Sequence, residues 1–500
     1  MRVVQNIQMQ LGEVDVSKIK FNPKSRDDIP RILRGLQHLY IDQTLRAKIF
    51  GLLEAQIAPK VDKGNGRPGM TLWRIFVCGV VRLDLNIDYD RLHELVNHHD
   101  TLREMLGHGK FDEKCYEYQT LKDNVSLLTP ELLDKINQVV VDGGHALVKK
   151  NAGEALRGRC DSFVVETHVH YPTDINLLFD AMRKVVHLTA RLCEGLGISH
   201  WRQHAYNVGR LKRSMRSAQN KKRSKAKSPE QQEKREALII KAHAQYLDLA
   251  QRYLSKAQNT LAEVKQMGSA SELDVACLLE IEGFMRHAAR QIDQTRRRVI
   301  QGETIPHADK VFSIFEPHTE WVSKGKAGVV AELGVKVCIL EDQYQFILHH
   351  QVMQKKTDDQ VAVSMVREAK KRYAKLNACS FDKGFHSPEN QRELKEQLER
   401  VVLPRKGKLS QQAQALEQTE EFLKARRQHS AVESAINALE VHGLDRCRDH
   451  GIDGFKRYVA LAVVARNIHR IGDILWQREC KREQRKRKYS DRDTALKRAA

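Results

Sequence analysis

The sequence predicts an α/β protein with two large helical blocks around a strand-rich core. Three observations predict it. The first 150 residues carry short helix-period patterns. Strand-like runs then appear near residue 158 and again between residues 310 and 402. Between those runs lies a block of more than a hundred residues with helical periodicity and dense positive charge.

Each part has its own signal. "DDIPRILRGLQHLY" opens with acidic residues and places Pro30 in a first helical turn. "DQTLRAKIFGLLEAQI" puts Leu45, Ile49, Leu52 and Leu53 on one helical face. "GNGRPG", from Gly64 to Gly69, reads as a loop, after which Thr71 and Asp88 are placed to cap further helices. Several short helices with a basic surface suit a helix-turn-helix type of DNA reader, and equally suit an ordinary helical bundle. "RCDSFVVETHVHY" reads as the first strand. Helical periodicity follows from about Asn176 to Arg298. "KVFSIF", "GVVAELGVKVCIL" and "YQFILHHQVM" read as strands, the last two forming a hairpin about "EDQ". Then come a helix ("DDQVAVSMVREAKKRYAKL"), a strand running into a loop ("NACSFDKGF"), a helix with Pro388 in its first turn, and a short strand ("RVVLP"). A long helix is expected from about Gln411 to Val441 and another from Phe455 to about Trp476. The expected divisions are 1–150, 151–175, 176–305, 306–475 and a basic tail, 476–500, read as an end without regular structure.

Charge narrows the function classes. The 500 residues contain 85 Lys and Arg against 64 Asp and Glu, a formal net charge of +21. Such an excess favours a polyanionic partner, because each cation that neutralises a phosphate releases a condensed counterion. The densest run, "GRLKRSMRSAQNKKRSKAKSP", holds Arg210, Lys212, Arg213, Arg216, Lys221, Lys222, Arg223, Lys225 and Lys227 with no acid among them. It reads either as a clamp on nucleic-acid backbones or as a solvated loop between helices, and phosphate contact is favoured. Nine dispersed cysteines with no CxxC pair argue against a zinc ribbon and suit a reducing cytosol. No apolar leader and no membrane-length apolar run is present, so no membrane association is expected.

The chemistry is carried by acids. Phosphodiester hydrolysis and transfer need an activated nucleophile and a stabilised leaving oxyanion, which two divalent ions about 3.5–4 Å apart supply. Hard Mg²⁺ takes oxygen ligands from a few carboxylates. Asp161 lies on the first strand. Asp382 lies where the strand "SFDKGF" ends at a Lys-Gly pair, a position from which side chains enter an open crevice. Glu433 lies on the helix "ARRQHSAVESAINALEVH", where Arg426, His429, Glu433, Asn437 and Glu440 form one polar stripe and Val432, Ile436 and Leu439 the apolar one. Asp342, Asp358 and Asp359 are rivals for the second carboxylate, explained by hairpin-turn and helix-cap roles. His168 and His170 share a strand face and are a conceivable metal pair, although no third soft ligand accompanies them; a structural or DNA-contact role is preferred. Asp174 is read as a helix cap, and His98, His99, His349 and His350 as surface or core residues.

At "DSFVVETHVHYPTD", "ELGVKV", "DKGF" and "RRQHSAVESAINALEVHGLDRCRDHGIDGFKRYVALAVVARNIHRIG" the chain resembles bacterial insertion-sequence transposases of the ISNCY group, akin to the wider Asp/Asp/Glu transposases. The likeness runs from about Asp161 to Ile471. It implies an RNase H-like mixed sheet core with a large helical insertion after the first strand, and an all-helical N-terminal DNA-binding region. It also implies that Asp161, Asp382 and Glu433 are the catalytic, metal-binding triad, with Asp161 bridging two Mg²⁺ ions and Mn²⁺ a possible substitute. Lys383, Arg426 and His429, with Arg210, Lys212, Arg213, Lys221, Lys222 and Arg223, are the expected DNA contacts. His429 stands where relatives commonly have Arg, and Glu440 where they commonly have Lys. The implied partners are transposon-end inverted-repeat DNA and target DNA, bound by a homodimer or larger assembly in the bacterial cytoplasm at the nucleoid. Two alternatives stand beside this reading: a non-catalytic DNA-binding protein derived from a transposase, and an RNase H-like nuclease outside transposition.

Overall fold

A computed structural model of the chain describes residues 3, 12–22, 24–57, 69–149, 151, 153–225, 228–267, 271–323 and 331–499. Most of the expected "GNGRPG" loop, and Lys227, lie outside the described residues. The chain divides into two compact units, 1–168 with 320–500, and 169–319.

The first unit is α/β with a mixed sheet of seven strands: β1 (Leu156–Thr167), β2 (Glu320–Val322), β3 (Glu332–Glu341), β4 (Ile347–Met353), β5 (Leu376–Phe381), β6 (Arg400–Val402) and β7 (Arg446–Cys447). β1 is central. On one side it pairs antiparallel with β3, which in turn pairs antiparallel with β4 and, further along, with β2. On its other side β1 pairs parallel with β5, and β5 parallel with β6. β3 and β4 form the expected hairpin. β4 to β5 and β5 to β6 are each joined across a helix, Asp358–Arg372 and Pro388–Gln397; for β5 and β6, parallel neighbours, such a crossover is required. "KVFSIF" is not a strand. Ser313 Oγ accepts the amides of Phe315 and Glu316, and this local turn takes the place of ladder pairing.

The N-terminal helices, expected to form a region of their own, share one hydrophobic core with the sheet and the C-terminal helix Gly451–Ala499. The helix Ile29–Ile41 crosses that helix at glycines. A Cβ on Gly472 would lie 2.0 Å from the Arg31 carbonyl oxygen, and one on Gly35 2.3 Å from that of Ile468. Two asparagines tie β4 to the C-terminal helix and to a second one. Asn467 accepts the Ile347 amide and donates to its carbonyl, while Asn137 donates to that carbonyl from the helix Pro130–Val148. The buried backbone groups of Ile347 on the outer side of β4 are thereby satisfied. The C-terminal helix runs to Ala499 and includes the tail expected to lack structure; no Gly or Pro follows Gly472 to stop it.

The expected helix from Gln411 to Val441 is broken into Gln411–Glu417, Glu420–His429 and Ala431–Leu439, followed by a π-turn, Glu440–Leu444. Thr419 caps the second piece, with Glu420 and Glu421 in its first turn. Ser430 Oγ donates to the Arg427 carbonyl at 2.7 Å, a back-bond that bends helices. Gly443, at φ +100°, ends the last piece.

The second unit, 169–319, is built on the helices Asp174–Gly195, His204–Arg223, Pro229–Gln266 and Glu272–Thr295, which pack around Tyr246, Leu211, Leu178 and Ile292. In His204–Arg223, Leu211, Met215 and Ala218 are buried. Arg210, Lys212, Arg213, Arg216, Lys221, Lys222 and Arg223 are exposed, so the basic run is an amphipathic helix and not a loop. Asp174 is the first helical residue, not the cap. Thr173 caps, and Asp174 pairs with Arg298 at 2.8 Å. His170 lies beyond the end of β1 and pairs with Asp180 at 2.6 Å, so the strand-borne His168–His170 pair does not form.

Candidate active site

The site begins with a register. β1 and β5 run parallel, and their last paired residues are Cys160 and Phe381. Asp161 and Asp382 each come one residue later. β1 goes on, with Asp161 opposite Ile339 of β3. The β5 chain turns away at Asp382 into a 3₁₀ turn, Lys383–Phe385, where the Phe385 amide donates to the Asp382 carbonyl. Phe385 is buried against Phe381, with ring centroids 5.7 Å apart, which anchors that turn. The edge of β1 that β5 vacates is taken up by β7 only at Glu166. Asp161 therefore faces a gap in the sheet, with Asp382 at its margin.

Helices Glu420–His429 and Ala431–Leu439 pack on β5, β6 and β1. His429 Nδ1 lies 3.0 Å from Ser380 Oγ, two residues before Asp382 and on the same strand face. Glu433 is one turn after His429. Val432 and Leu439 are buried and Glu433 and Asn437 exposed, so the apolar and polar stripes divide as the spacing predicts.

Electrostatics ties the acids together. The Asp161 carboxyl is pushed up to about 6, first by burial and then by the negative charges of Asp382, Asp358 and Glu433. The Ser162 amide, donating to Asp161 Oδ1 at 2.7 Å, opposes the shift. The other two predicted acids, Asp382 and Glu433, are thus within electrostatic reach of Asp161. Their oxygen atoms do not form a set all within 4.8 Å of one another. Among the described residues the one His/Cys/Asp/Glu group that does is Asp84, His442 and His469, a possible metal-binding triad elsewhere in this unit.

Asp358 is the acid at this site that the sequence did not distinguish. It begins a helix, as expected, but it also accepts from Ser162 Oγ at 2.6 Å and from Lys336 Nζ at 3.1 Å. A Cβ on Gly384 would lie 3.1 Å from Asp358 Oδ2, so the "DKGF" turn packs directly on it. In "TDDQ" the capping box around Thr357 and Gln360 accounts for an acid here, and nothing in the sequence points to Ser162 or Lys336 as its partners. Of the other rivals, Asp342 is fully buried and accepts from the Tyr344 and Phe346 amides, 2.6 Å from His145 Nε2.

Among the expected DNA contacts, Lys383 and Arg426 are exposed at this site. His429 is turned onto the sheet. Burial pushes it down to about 4, so it is a neutral imidazole and not a phosphate-pairing cation. Its buried Nε2 has no hydrogen-bond partner. Beside it, a cleft of about 320 Å³ runs between the strands and the helix, with Arg157, Arg159 and Arg400 in its wall. No protein-family model, curated protein or solved structure matches the chain. No helix among the described residues is long and apolar enough to cross a membrane.

The donor chemistry fits a hard divalent ion. Asp161, Asp382 and Glu433 offer only oxygen, and their mutual repulsion at Asp161 is what a cation relieves. Asp358 is already neutralised by Lys336, which leaves three carboxylates for the ion.

Proposed function

We propose that the chain is a DNA transposase of the Asp/Asp/Glu type that cleaves at element ends and joins the freed 3′-hydroxyl to target DNA. The observation that carries this reading is the parallel register that sets Asp161 and Asp382 at matching positions one residue past the β1–β5 pairing, with Glu433 on the helix packed over them. The strand order β4-β3-β1-β5-β6, antiparallel on one side of β1 and parallel with helical crossovers on the other, supports an RNase H-like core. The net charge of +21 supports a polyanionic substrate.

Asp161, Asp382 and Glu433 would hold the magnesium ions, with manganese as a substitute. Bound there, the ions lower the pKa of the attacking water or hydroxyl and stabilise the leaving oxyanion. The protein's part is positioning and electrostatics, since in-line displacement at phosphorus needs no covalent protein intermediate. Lys383 and Arg426 reach the DNA backbone beside the acids. Arg157 and Arg400 attract the strand along the adjoining cleft, while Arg159 in the same wall is held by Glu341. The N-terminal helices read the terminal repeats, and the basic helix His204–Arg223 grips the backbone. Two ends must be joined, so the active form on DNA is at least a dimer.

The test is a cleavage and strand-transfer assay. Labelled DNA from the borders of the native coding region is incubated with Mg²⁺ or Mn²⁺ and either wild type or Asp161→Asn. Cleavage and joining by wild type, lost in the variant while DNA binding survives, is the expected result. Joining that persists in Asp161→Asn overturns the site. Wild type that binds these ends and never cuts them identifies a non-catalytic DNA-binding protein instead.

A further inference from the structure

A second cluster of ligand-type side chains lies in the first unit, on elements that the triad does not use. Asp84 ends the helix Leu72–Asp84. His442 sits in the π-turn after the Glu433 helix. His469 sits inside the C-terminal helix. His469 Nδ1 lies 2.9 and 3.1 Å from the two Asp84 carboxylate oxygens, and His442 Nδ1 lies 3.5 Å from Oδ1. The two imidazole centroids are 4.9 Å apart. The side chains are 1 %, 13 % and 12 % exposed for Asp84, His442 and His469, so Asp84 is buried and the two imidazoles are mostly so.

We propose that Asp84, His442 and His469 form a structural site for a borderline divalent transition metal of the zinc class. Zinc bonds of about 2.0–2.2 Å in a tetrahedron place neighbouring donor atoms about 3.3–3.5 Å apart. The 2.9 and 3.5 Å separations around Asp84 Oδ1 bracket that edge. Two imidazoles and one carboxylate are a nitrogen-rich set, which favours zinc over magnesium.

A separate observation also points to a metal. Histidines that bind metals nearly always present their other ring nitrogen to a carboxylate or carbonyl, which fixes the tautomer. His469 Nε2 faces Asp473 Oδ1 at 3.6 Å, one helical turn on. Without metal, His442 Nδ1 contacts the Asp84 carbonyl oxygen at 2.5 Å, and the Nδ1 protons of both rings hold Asp84. Metal entry moves each of those protons from Nδ1 to Nε2. Each ring then carries one proton, on Nε2, a ring that was imidazolium giving its second proton to solvent, and His469 Nε2–H donates to Asp473. A water fills the fourth position. The ion ties the N-terminal helical block to the C-terminal helix and to the turn that ends the Glu433 helix.

The proposal is independent of the transposase reading and is tested apart from it. Untagged full-length protein is stripped with a chelator and titrated with Co²⁺ under visible absorption, and its thermal midpoint is measured with and without Zn²⁺. One tight equivalent of Co²⁺ with a tetrahedral d–d band, and a higher midpoint with Zn²⁺, are expected. The band is lost in His442→Gln and His469→Gln. It persists in Asp161→Asn, which separates this site from the acidic one. Asp473→Asn weakens uptake about 10- to 100-fold. If His469→Gln does not fold, the stripped wild type and the partly exposed His442 variant still decide the matter. Stripped wild type that takes up no tight equivalent, or a His442→Gln protein that binds like wild type, overturns the site.

Discussion

Asp161 and Asp382 stand one residue beyond Cys160 and Phe381, the last paired positions of two neighbouring parallel strands. Residues at matching positions of adjacent parallel strands project to the same face. Two acids separated by 221 positions in the numbering are therefore held side by side by the backbone ladder. Asp382→Asn and Glu433→Gln are expected to lower DNA cleavage by more than about 100-fold each, the order found when one preorganised charge-stabilising group is removed. The double variant should fall little below either single one, because groups acting as a unit are not additive. Single-turnover cleavage of labelled DNA at fixed Mg²⁺ measures this. Additive losses would place the two acids in separate roles.

Asp358 acts on the site through other residues. It holds Ser162, the neighbour of Asp161, and it lies against Gly384 beside Asp382. Asp358→Asn keeps the shape but removes the charge that Lys336 neutralises. The expected result is a drop of roughly 10- to 100-fold in turnover, in the range of supporting carboxylates around metal ligands, with an increase in the Mg²⁺ needed for half-maximal rate. Lys336→Met should move the Mg²⁺ requirement in the same direction. A variant that loses thermal stability while the Mg²⁺ dependence stays fixed would reduce Asp358 to a helix-start residue.

What the sequence made legible is what local physics encodes. The β3–β4 hairpin, the helix starts at Asp358 and Pro388, and the apolar and polar stripes around Glu433 each follow from periodicity and caps. Asp161 and Asp382 stood out because acids on or at the end of apolar strands need a reason. The break at Ser430 was less legible, because a mid-helix serine bends a helix only when its hydroxyl turns back to the chain. "KVFSIF" has strand composition, yet Ser313 takes the amides a ladder would use. The union of the N-terminal helices with the C-terminal helix rests on Gly35 and Gly472 meeting backbones more than 400 positions away, which no local pattern records. The cluster of Asp84, His442 and His469 is invisible for the same reason.

Glu341 gives a pH dependence with a definite sign. It is buried at the end of β3 with Arg159 at 2.9 Å, and burial outweighs that partner, raising the carboxyl from 4.5 to about 7. The folded state therefore holds the proton more tightly than the unfolded chain does. The resulting stability is fully present below pH 4.5 and is lost as pH rises to about 7, a change on the order of 3 kcal/mol. Glu341→Gln mimics the protonated form. At pH 8 it is expected to melt above wild type, and the gap should narrow toward pH 5. Denaturant melts at the two pH values check this. A gap that is independent of pH, or a wild type more stable at pH 8, would mean that the Arg159 and Arg466 charges prevail over burial.

The helix His204–Arg223 makes the most direct electrostatic prediction. Its apolar stripe, Leu211, Met215 and Ala218, is buried, which fixes the orientation of the opposite surface. Arg210, Lys212, Arg213, Lys221 and Arg223 lie on the other sides of the helix and Lys222 follows the apolar stripe at its end; all are exposed, and among the described residues none of them forms an ion pair with a carboxylate. Holding so many like charges together is unfavourable for the free protein, and a polyanion relieves it. Each cation that contacts a phosphate adds about 0.9 to the slope of log affinity against log salt on duplex DNA. Replacing Lys221, Lys222 and Arg223 by Gln should therefore flatten that slope by up to about 2.7. Affinity should fall for every DNA sequence alike, because backbone contacts carry no base information. Titration of labelled duplex across a salt series reads both quantities. An unchanged slope would assign the run to solvent, and a loss confined to one sequence would make it a reader of bases.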